Sequence, residues 1–390
     1  MSATWAPVPD GSPFGAGVLP YGIFSPPREP PRAGVRIGDH VLDLAGLARD
    51  GRLDAGSDLF EAPALDAFMA AGPSAWRATR DCVSRLLRDA GARPHVAPHL
   101  HPLGAVELRL PFTVADYADF YASEHHAANL GRLLRPSTEP LLPNWRHLPV
   151  GYHGRAGTVV VSGTDVVRPR GQYLEDGVPR FGPTRRLDIE LEIGVVIGTP
   201  SRMGVAVPVA EALDRVFGVV LLNDWSARDL QAWEYQPLGP FLGKSFATSI
   251  SAWVTPLDAL ARVPAAPQDP APLSYLREPP WALDVPLEVE LNGTVVARTS
   301  TRRLYWSPAQ QIAHLTANGA SLRTGDLLGS GTISGPARTE RGSLIELSWN
   351  GAEPIELPGG QTRTFLEDGD EAVLRGTGLG EVAGRILPSG

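Results

Sequence analysis

The sequence of 390 residues is short of cysteine, of long apolar runs and of positive charge. Its single cysteine, Cys82, excludes an internal disulfide and a metal site built from several thiolates. No apolar run approaches the roughly 18 residues that a transmembrane helix needs, and the run 217–222 is typical. Residues 1–15 lack the basic start and apolar core of a secretory signal. We therefore expect a cytoplasmic protein with no membrane partner.

Charge and composition narrow the class of protein further. The 43 acidic and 35 basic side chains give a net charge of -8, and nucleic-acid binding requires clustered positive charge, so we expect no nucleic-acid partner. Hydrophobic residues make up 43% of the chain, which is enough for a sizeable core. The 42 glycines and 38 prolines are poorly tolerated inside helices, so the composition predicts a mainly β protein with some α structure.

The pattern of apolar residues changes at about residue 112. Before it, 34–44 predicts a hairpin that turns at Gly38-Asp39, and 65–87 predicts one or two helices. After it, strands are predicted at 158–162, 187–196, 216–222, 283–291 and 344–349, and helices at 116–132, 209–215 and 308–317. Because strands and helices do not alternate regularly, a doubly wound parallel sheet is not expected.

The segment 187–193 carries three acidic residues at alternate positions. On a strand, Asp188, Glu190 and Glu192 would share one face, and the residues between them would face the core. One interpretation is a half-exposed strand with a solvated acidic face. The other is a buried, oxygen-rich cation site, because buried like charges need a positive partner.

A second polar cluster follows the apolar strand 216–222. The strand runs into Asn223 and Asp224, which by themselves are also typical of a turn. Four polar side chains follow within about twenty residues, interleaved with aromatic residues, proline and glycine: Arg228, Gln231, Tyr235 and Lys244. This mixture indicates the wall of a binding cleft.

Two further segments contain candidate functional residues. On the helix predicted at 116–132, Asp119 and His126 would lie two turns apart on one face, with Tyr121 further round. In the second segment, Thr332 lies among small residues, and Glu346 lies between apolar neighbours. Glu346 could be a buried carboxylate with a raised pKa or could lie on the outward face of a strand, and the pattern leaves both open.

Taken together, these segments resemble the fumarylacetoacetase family. The matching stretches are 19–25, 143–156, 159–164, 222–229, 237–246 and 330–336, and the similarity runs from near residue 16 to about 387. The resemblance implies an N-terminal SH3-like domain at 1–112. It also implies a C-terminal catalytic, metal-binding domain at 113–390, built of layered β-sheets in a β-roll. It further implies a homodimer that uses Ca²⁺ or Mg²⁺.

The resemblance also implies a role for individual residues. Catalytic roles fall on His126, Glu346, Lys244, Arg228 and Gln231. Substrate contacts fall on Tyr121, Arg135, Tyr152, Tyr235 and Thr332. Metal ligands fall on Asp119, Glu190, Glu192 and Asp224, with a second, structural Mg²⁺ held by the stretch that includes Lys244 and Thr248. The family has Arg-Gln where this chain has Glu124-His125, and the spacing from Asp119 assigns the catalytic role to His126.

The implied reaction is hydrolysis of a carbon–carbon bond in a diketo-dicarboxylate. A hard cation would polarise the carbonyl, His126 held by Glu346 would activate water, and buried cations would stabilise the departing enolate. Within the superfamily, an acylpyruvate hydrolase or oxaloacetate decarboxylase would keep the acidic residues but lose the pattern of Arg135 and Tyr235. A non-catalytic cation-binding protein would not need His126, Glu346 and Lys244 together. Asp188 has no catalytic role in the family and is expected to be structural, paired with Arg185 or Arg186.

Overall fold

The computed structural model describes residues 4–53 and 56–390. The chain forms a β-rich fold with some helices, which confirms the fold class predicted from the sequence. No helix in the described ranges is long and apolar enough to cross a membrane.

An N-terminal sheet is built almost entirely from the first 110 residues. Its strands follow in the order Trp253–Val254, Tyr21–Ser25, Arg32–Ile37, His40–Asp43 and Leu100–Pro102, and Glu107–Arg109 also pairs with Tyr21–Ser25. The helices Leu44–Arg49, Asp66–Ala70, Pro73–Arg88 and Arg93–Val96 accompany it. The predicted hairpin and helices are confirmed. The strand Trp253–Val254 comes from the C-terminal part, so the two parts of the chain share this sheet.

A seven-stranded sheet forms the centre of the C-terminal part. Its order is Gly151–His153, Tyr117–Phe120, Leu327–Gly329, Leu191–Ile197, Val216–Asp224, Thr248–Ile250 and Val159–Val161. Leu191–Ile197 and Val216–Asp224 are buried along their whole length, as their almost unbroken apolar sequences predict.

A five-stranded sheet shares a hydrophobic core with the central one. Its order is Thr294–Ser300, Pro286–Leu291, Glu371–Gly376, Gly380–Leu387 and Val166–Val167. Short pairs complete the β structure: Arg170–Glu175 with Val178–Pro183, Leu187–Asp188 with Ser226–Ala227, Arg262–Pro264 with Trp281–Leu283, and Ile355–Leu357 with Gln361–Arg363.

The C-terminal helices are short and lie at Glu124–Leu134, Arg228–Glu234, Pro308–Thr316 and Leu344–Leu347, and Val209–Arg215 forms a 3₁₀ helix. The single helix predicted at 116–132 is wrong. Tyr117–Phe120 is instead a strand, because it pairs in parallel with Leu327–Gly329 inside the central sheet. The helix begins only after Ser123, whose hydroxyl accepts a hydrogen bond from the His126 backbone N–H as an N-cap.

The strand predicted at 344–349 is also wrong, because this segment forms the helix Leu344–Leu347. Its apolar residues are buried on more than one side, and a short apolar run cannot distinguish a buried strand from a buried helical turn. The sequence did contain the opposite signal, since Ser343 and Glu346 have the spacing of a helix capping box.

Candidate active site

Three acidic residues meet because they lie on strands of the central sheet. Asp119 lies opposite Gly329 on one side and Tyr152 on the other, Glu192 lies opposite Leu222, and Asp224 lies opposite Thr248. Glu190 immediately precedes the strand Leu191–Ile197 and joins the same group. The strand predicted at 187–196 is therefore interrupted at residues 189–190.

The carboxylates of Asp119, Glu190, Glu192 and Asp224 each offer one oxygen within 4.8 Å of the others. All four residues are at most 4% exposed, so the solvated acidic face considered for the sequence is excluded. Asp119 Oδ1 and Glu192 Oε1 are buried without a hydrogen-bond partner in the described residues. Unpaired buried oxygens of hard carboxylates are what a divalent cation such as Ca²⁺ or Mg²⁺ binds, so these residues fit the metal that the resemblance implies.

Close packing around these oxygens requires a glycine at position 329. A Cβ atom at Gly329 would lie 2.7 Å from Asp119 Oδ1 and 3.0 Å from Glu192 Oε2. Any side chain there would push into the carboxylates. The backbone N–H of Gly331, in the loop that follows the strand Leu327–Gly329, donates to Glu192 Oε2 at 2.9 Å and fixes that carboxylate.

The burial of four carboxylates has a strong electrostatic effect. Burial and the neighbouring Asp224 raise the pKa of Asp119 to about 8. Burial and Asp119 raise the pKa of Glu192 well above its usual range. Without a cation, Asp119 would therefore keep its proton at neutral pH, and a cation binding there would displace it.

Two buried cations lie on the other side of Glu190. Arg228 Nη1 is 2.7 Å from Glu190 Oε1, and Lys244 Nζ contacts Glu190 Oε2 and lies 3.1 Å from Asp224 Oδ2. Burial alone would raise the pKa of Glu190, but Lys244 and Arg228 outweigh it and hold that pKa below its usual range. Glu190 is therefore an ionised carboxylate between the cations and the other three acids.

His126 and Glu346 form a buried pair next to this group. His126 Nδ1 lies 2.7 Å from Glu346 Oε2, and His126 Nε2 lies 3.9 Å from Glu190 Oε1. Because a carboxylate only accepts, Nδ1 carries the proton of this hydrogen bond, and Nε2 is the ring nitrogen that faces the acidic group. This geometry is that of an oriented general base.

Glu346 is held by a complete set of donors. Asn129 Nδ2 donates to Oε1 at 2.9 Å, and the hydroxyls of Ser334 and Ser343 donate to Oε2 at 2.9 and 2.7 Å. Burial alone would raise the pKa of Glu346, but His126 and these donors lower it to about 2. The raised pKa considered for Glu346, and its place on the outward face of a strand, are both wrong.

The two adjacent histidines face different surroundings. His126 is 2% exposed and lies in the site, whereas His125 lines a separate pocket together with Glu124 and Arg146. Helix geometry explains the difference, since consecutive residues point about 100° apart.

The residues predicted to bind substrate are placed at different distances from the acidic group. Tyr152 donates to Asp224 Oδ2 at 3.0 Å, and the ring of Tyr121 meets the His126 ring edge-on at 5.3 Å. Thr332 Oγ1 is buried and has no partner in the described residues. Arg135 is half-buried just past the end of the His126 helix. Tyr235 is half-buried at the end of the Arg228 helix, and its hydroxyl accepts from Gln236 Nε2.

The remaining predicted residues support the charged groups. Thr248 Oγ1 donates to Asp224 Oδ1 at 2.8 Å, and Gln231 Oε1 accepts from Arg228 Nη1 at 3.1 Å. The expected pairing of Asp188 with Arg185 or Arg186 is wrong, because Asp188 binds Arg228. No sequence pattern predicted Ser334 and Ser343 as site residues, and only the capping-box spacing of Ser343 indicates one of them.

The fold and this site define a class of proteins that share one C-terminal domain. Residues 116–387 match the family model described as fumarylacetoacetate (FAA) hydrolase C-terminal, and residues 18–111 match the model described as fumarylacetoacetase N-terminal. The chain belongs to the fumarylacetoacetase family.

Relatives from distant eukaryotes match over almost the whole chain. The chain is 45% identical to the fumarylacetoacetase of Homo sapiens, with 99% of each chain covered, and 46% identical to that of Caenorhabditis elegans, with 98% of each covered. Its identity to the Arabidopsis thaliana fumarylacetoacetase is 45%, with 95% of each covered.

Solved structures of more distant proteins share the fold. A fumarylacetoacetate hydrolase from psychrophilic Exiguobacterium antarcticum has a TM-score of 0.57 at 18% identity, covering 95% of this chain and 99% of its own. A maleylpyruvate hydrolase from Sphingobium sp. SYK-6, in complex with manganese(II) ion and pyruvate, has a TM-score of 0.53 at 18% identity, covering 95% of this chain and 100% of its own.

Proposed function

We propose that the protein hydrolyses the carbon–carbon bond of 4-fumarylacetoacetate to give fumarate and acetoacetate, the last step of tyrosine and phenylalanine catabolism. The observation that carries the proposal is the position of His126, whose Nδ1 lies 2.7 Å from Glu346 while Nε2 faces the four carboxylates. A base, an acidic group able to hold a cation and two buried cations are the parts that this hydrolysis requires.

His126 is the general base in this proposal. Its Nε2 takes a proton from water, and Glu346 stabilises the imidazolium that forms. The hydroxide adds to the carbonyl on the fumaryl side. The bond between that carbon and the acetoacetate carbon then breaks, and its electron pair leaves with the acetoacetate enolate. The enolate carbon takes up the proton held on His126, which gives acetoacetate and restores the base.

Stabilisation of the enolate is assigned to Lys244, Arg228 and Gln231. Lys244 and Arg228 are buried and held by Glu190, so their charges are in place before the reaction begins. Gln231 keeps its amide N–H groups as donors, since its oxygen already accepts from Arg228. Removing one preorganised donor of this kind typically costs about 3 kcal/mol of transition-state stabilisation.

We propose that Asp119, Glu190, Glu192 and Asp224 hold Ca²⁺ or Mg²⁺. When bound, the ion would polarise the carbonyl under attack. Tyr152 and Thr248 hold the Asp224 carboxylate in the orientation that this requires. A second Mg²⁺ at residues 244–248 would be held by the backbone oxygen of Lys244, because the ammonium group of that residue repels cations, and by an oxygen of Thr248.

The substrate carries a carboxylate at each end, and Arg135 with Tyr121 is the proposed clamp for one of them. Tyr152, Tyr235 and Thr332 are the proposed further contacts. The unpartnered hydroxyl of Thr332 supports this assignment, because a buried hydroxyl without a partner gains a hydrogen bond when a polar ligand arrives.

We also propose that the protein is a cytoplasmic homodimer. Each subunit would consist of two domains, 1–112 and 113–390. Large apolar side chains exposed on the loop after the Arg228 helix support association, since Leu238 is 95% and Phe241 67% exposed. Light scattering coupled to size exclusion should give twice the chain mass of 41.6 kDa. A monomer at micromolar concentration would contradict the dimer.

The activity is tested by adding purified protein to fumarylacetoacetate and following the loss of its ultraviolet absorbance, with fumarate and acetoacetate identified as products. We expect turnover by the wild type and almost none by His126→Ala. Acylpyruvates and oxaloacetate are assayed in parallel. A higher kcat/KM on either of them, or no turnover of fumarylacetoacetate, would contradict the proposed function.

A further inference from the structure

Asp188 is a buried carboxylate that the mechanism above does not use. It is 0% exposed and accepts four hydrogen bonds. Oδ1 accepts from the backbone N–H groups of Ile189 at 2.8 Å and Leu344 at 2.7 Å. Oδ2 accepts from Arg228 Nε at 2.7 Å and from the Ile345 N–H at 3.1 Å. Both oxygens are therefore fully occupied by donors.

These contacts connect two parts of the site that are far apart in sequence. Leu344 and Ile345 begin the short helix that carries Glu346, and Asp188 binds their free N–H groups. Arg228 follows the short strand Ser226–Ala227, which pairs with Leu187–Asp188 and so places the guanidinium next to Asp188. One carboxylate thus joins the helix of the base pair to the cation assigned to the enolate.

The bonds to Arg228 also determine which of its nitrogens remains available. Nε is bound by Asp188, and Nη1 is bound by Glu190 and Gln231. Nη2 is buried and has no hydrogen-bond partner among the described residues. A planar guanidinium that is fixed at two of its nitrogens has no freedom to rotate, so Nη2 points in one direction.

We propose that Asp188 is a positioning residue that fixes Arg228 so that Nη2 meets the developing enolate oxygen, and that it anchors the Glu346 helix at the same time. The proposal rests on the proposed function. The negative charge is essential, because an asparagine of the same shape has one acceptor oxygen and one NH₂ group. In Asp188→Asn that NH₂ would face either the Oδ2 donors, Arg228 Nε and the Ile345 N–H, or the Oδ1 donors, the Ile189 and Leu344 N–H groups. Either set of donors would lose its acceptor, and each set includes an N–H group of the Glu346 helix.

The chain offers a matched control in its N-terminal part. Asp43 is also buried, caps the helix Leu44–Arg49 through the Gly46 N–H at 2.8 Å, and binds Arg32 Nε at 2.8 Å. Asp43→Asn therefore removes the same chemistry, a helix cap plus a buried arginine pair, at a place outside the site. A purely structural role for Asp188 predicts that the two variants behave alike.

The experiment measures kcat, KM, calorimetric Ca²⁺ affinity and thermal stability for both variants in the full-length protein. We expect Asp188→Asn to lower kcat at least about 10²-fold, as losing one oxyanion donor does, with KM and Ca²⁺ affinity within about threefold of wild type. Asp43→Asn should lose comparable stability and keep its kcat. Equal kcat values for the two variants would overturn the inference.

A double mutant tests whether Asp188 acts through Arg228. The loss caused by Asp188→Asn should be at least about tenfold smaller in an Arg228→Met background, and the full product of the two losses would overturn the inference. If Asp188→Asn does not fold, Asp188→Glu is measured instead, because it keeps the charge but displaces Arg228. A wild-type kcat in that variant would also overturn the inference. An inactive wild type would overturn the proposed function, whereas an active wild type with active Asp188 variants overturns this inference alone.

Discussion

At the scale of single residues, the adjacent histidines His125 and His126 differ in burial and in the residues that they contact. His126 is buried and held by Glu346, and His125 lines another pocket. His126→Ala should lower kcat at least about 10²-fold, because the reaction loses its general base. His125→Ala is the matched control, and its kcat should stay within about threefold of wild type. Steady-state kinetics of both variants check this, and a reversed order of effects would assign the base to His125.

A substitution at Glu346 can test the effect of its negative charge separately from the effect of its shape. Glu346→Gln keeps the size of the side chain but cannot stabilise a positive imidazolium, so kcat should fall substantially while KM stays within a few-fold. Because both residues serve one proton transfer, His126→Ala should add little to Glu346→Gln. The measurement is a double-mutant cycle on kcat. Independent, multiplicative losses would exclude the pair as a unit.

At the scale of elements, the helix Glu124–Leu134 is packed against the chain that follows it. A Cβ atom at Gly131 would lie 1.9 Å from the carbonyl oxygen of Pro140. Alanine favours a helix by about 1 kcal/mol over glycine, but this gain is small beside a backbone clash. Gly131→Ala should therefore lower the melting temperature.

The same substitution should also affect substrate binding, because the displaced backbone is in contact with Arg135, whose Nη2 lies 3.4 Å from the Pro140 oxygen. We expect KM to rise at least about tenfold if Arg135 clamps a substrate carboxylate. Ala128→Gly, on the same helix, is the control, since it changes helix propensity alone and should leave KM unchanged. A stable Gly131→Ala enzyme with wild-type KM would contradict the packing argument.

The turn that precedes the strand Glu371–Gly376 depends on a buried carboxylate for its stability. Asp370 accepts hydrogen bonds from Asn292 Nδ2 at 2.7 Å, Arg363 Nε at 2.9 Å and the Glu367 N–H at 2.7 Å. Burial alone would raise the pKa of Asp370, but Arg363 and Asn292 outweigh it and lower the pKa. A lowered pKa contributes stability above the unfolded value of about 3.9, and that stability is lost as the pH falls.

Asp370→Asn should therefore cost about 2 kcal/mol of unfolding free energy at pH 7 and progressively less below about pH 4. Urea unfolding of variant and wild type across this pH range measures the difference. Asp368, an exposed carboxylate that pairs with Arg168, gives the control, because Asp368→Asn should cost at most about 0.5 kcal/mol at any pH. A difference for Asp370→Asn that does not depend on pH would contradict the assignment.

At the scale of the whole molecule, the cation site exists only when the central sheet is assembled. Its carboxylates come from three segments that are separated by up to about a hundred residues. Exhaustive chelation should abolish turnover, and Ca²⁺ or Mg²⁺ should restore it. Glu190→Gln and Asp224→Asn should each weaken cation binding in a calorimetric titration. Full activity in a preparation verified as metal-free would falsify the site.

Much of the molecule follows from local sequence. Glycine and proline content indicated a β-rich fold, alternation at 187–193 separated core from acidic residues, and the apolar run at 216–222 gave a buried strand. These features depend on side-chain periodicity, which is a property of neighbouring residues. The motifs shared with the family extended the prediction to the roles of individual residues. Local patterns alone had left more than one interpretation open for those residues.

Tertiary structure alone decided the rest. Tyr117–Phe120 became a strand because Leu327–Gly329, some two hundred residues away, pairs with it, and no local pattern contains that partner. Glu346 became a buried anion with a lowered pKa because His126 and Asn129, some two hundred residues away, surround it together with the nearer Ser334 and Ser343. Asp188 pairs with Arg228 and not with the adjacent arginines, because the Leu187–Asp188 and Ser226–Ala227 pairing sets that distance. Contacts between residues far apart in sequence cost chain entropy that only the complete fold compensates, so they cannot be deduced from any one segment.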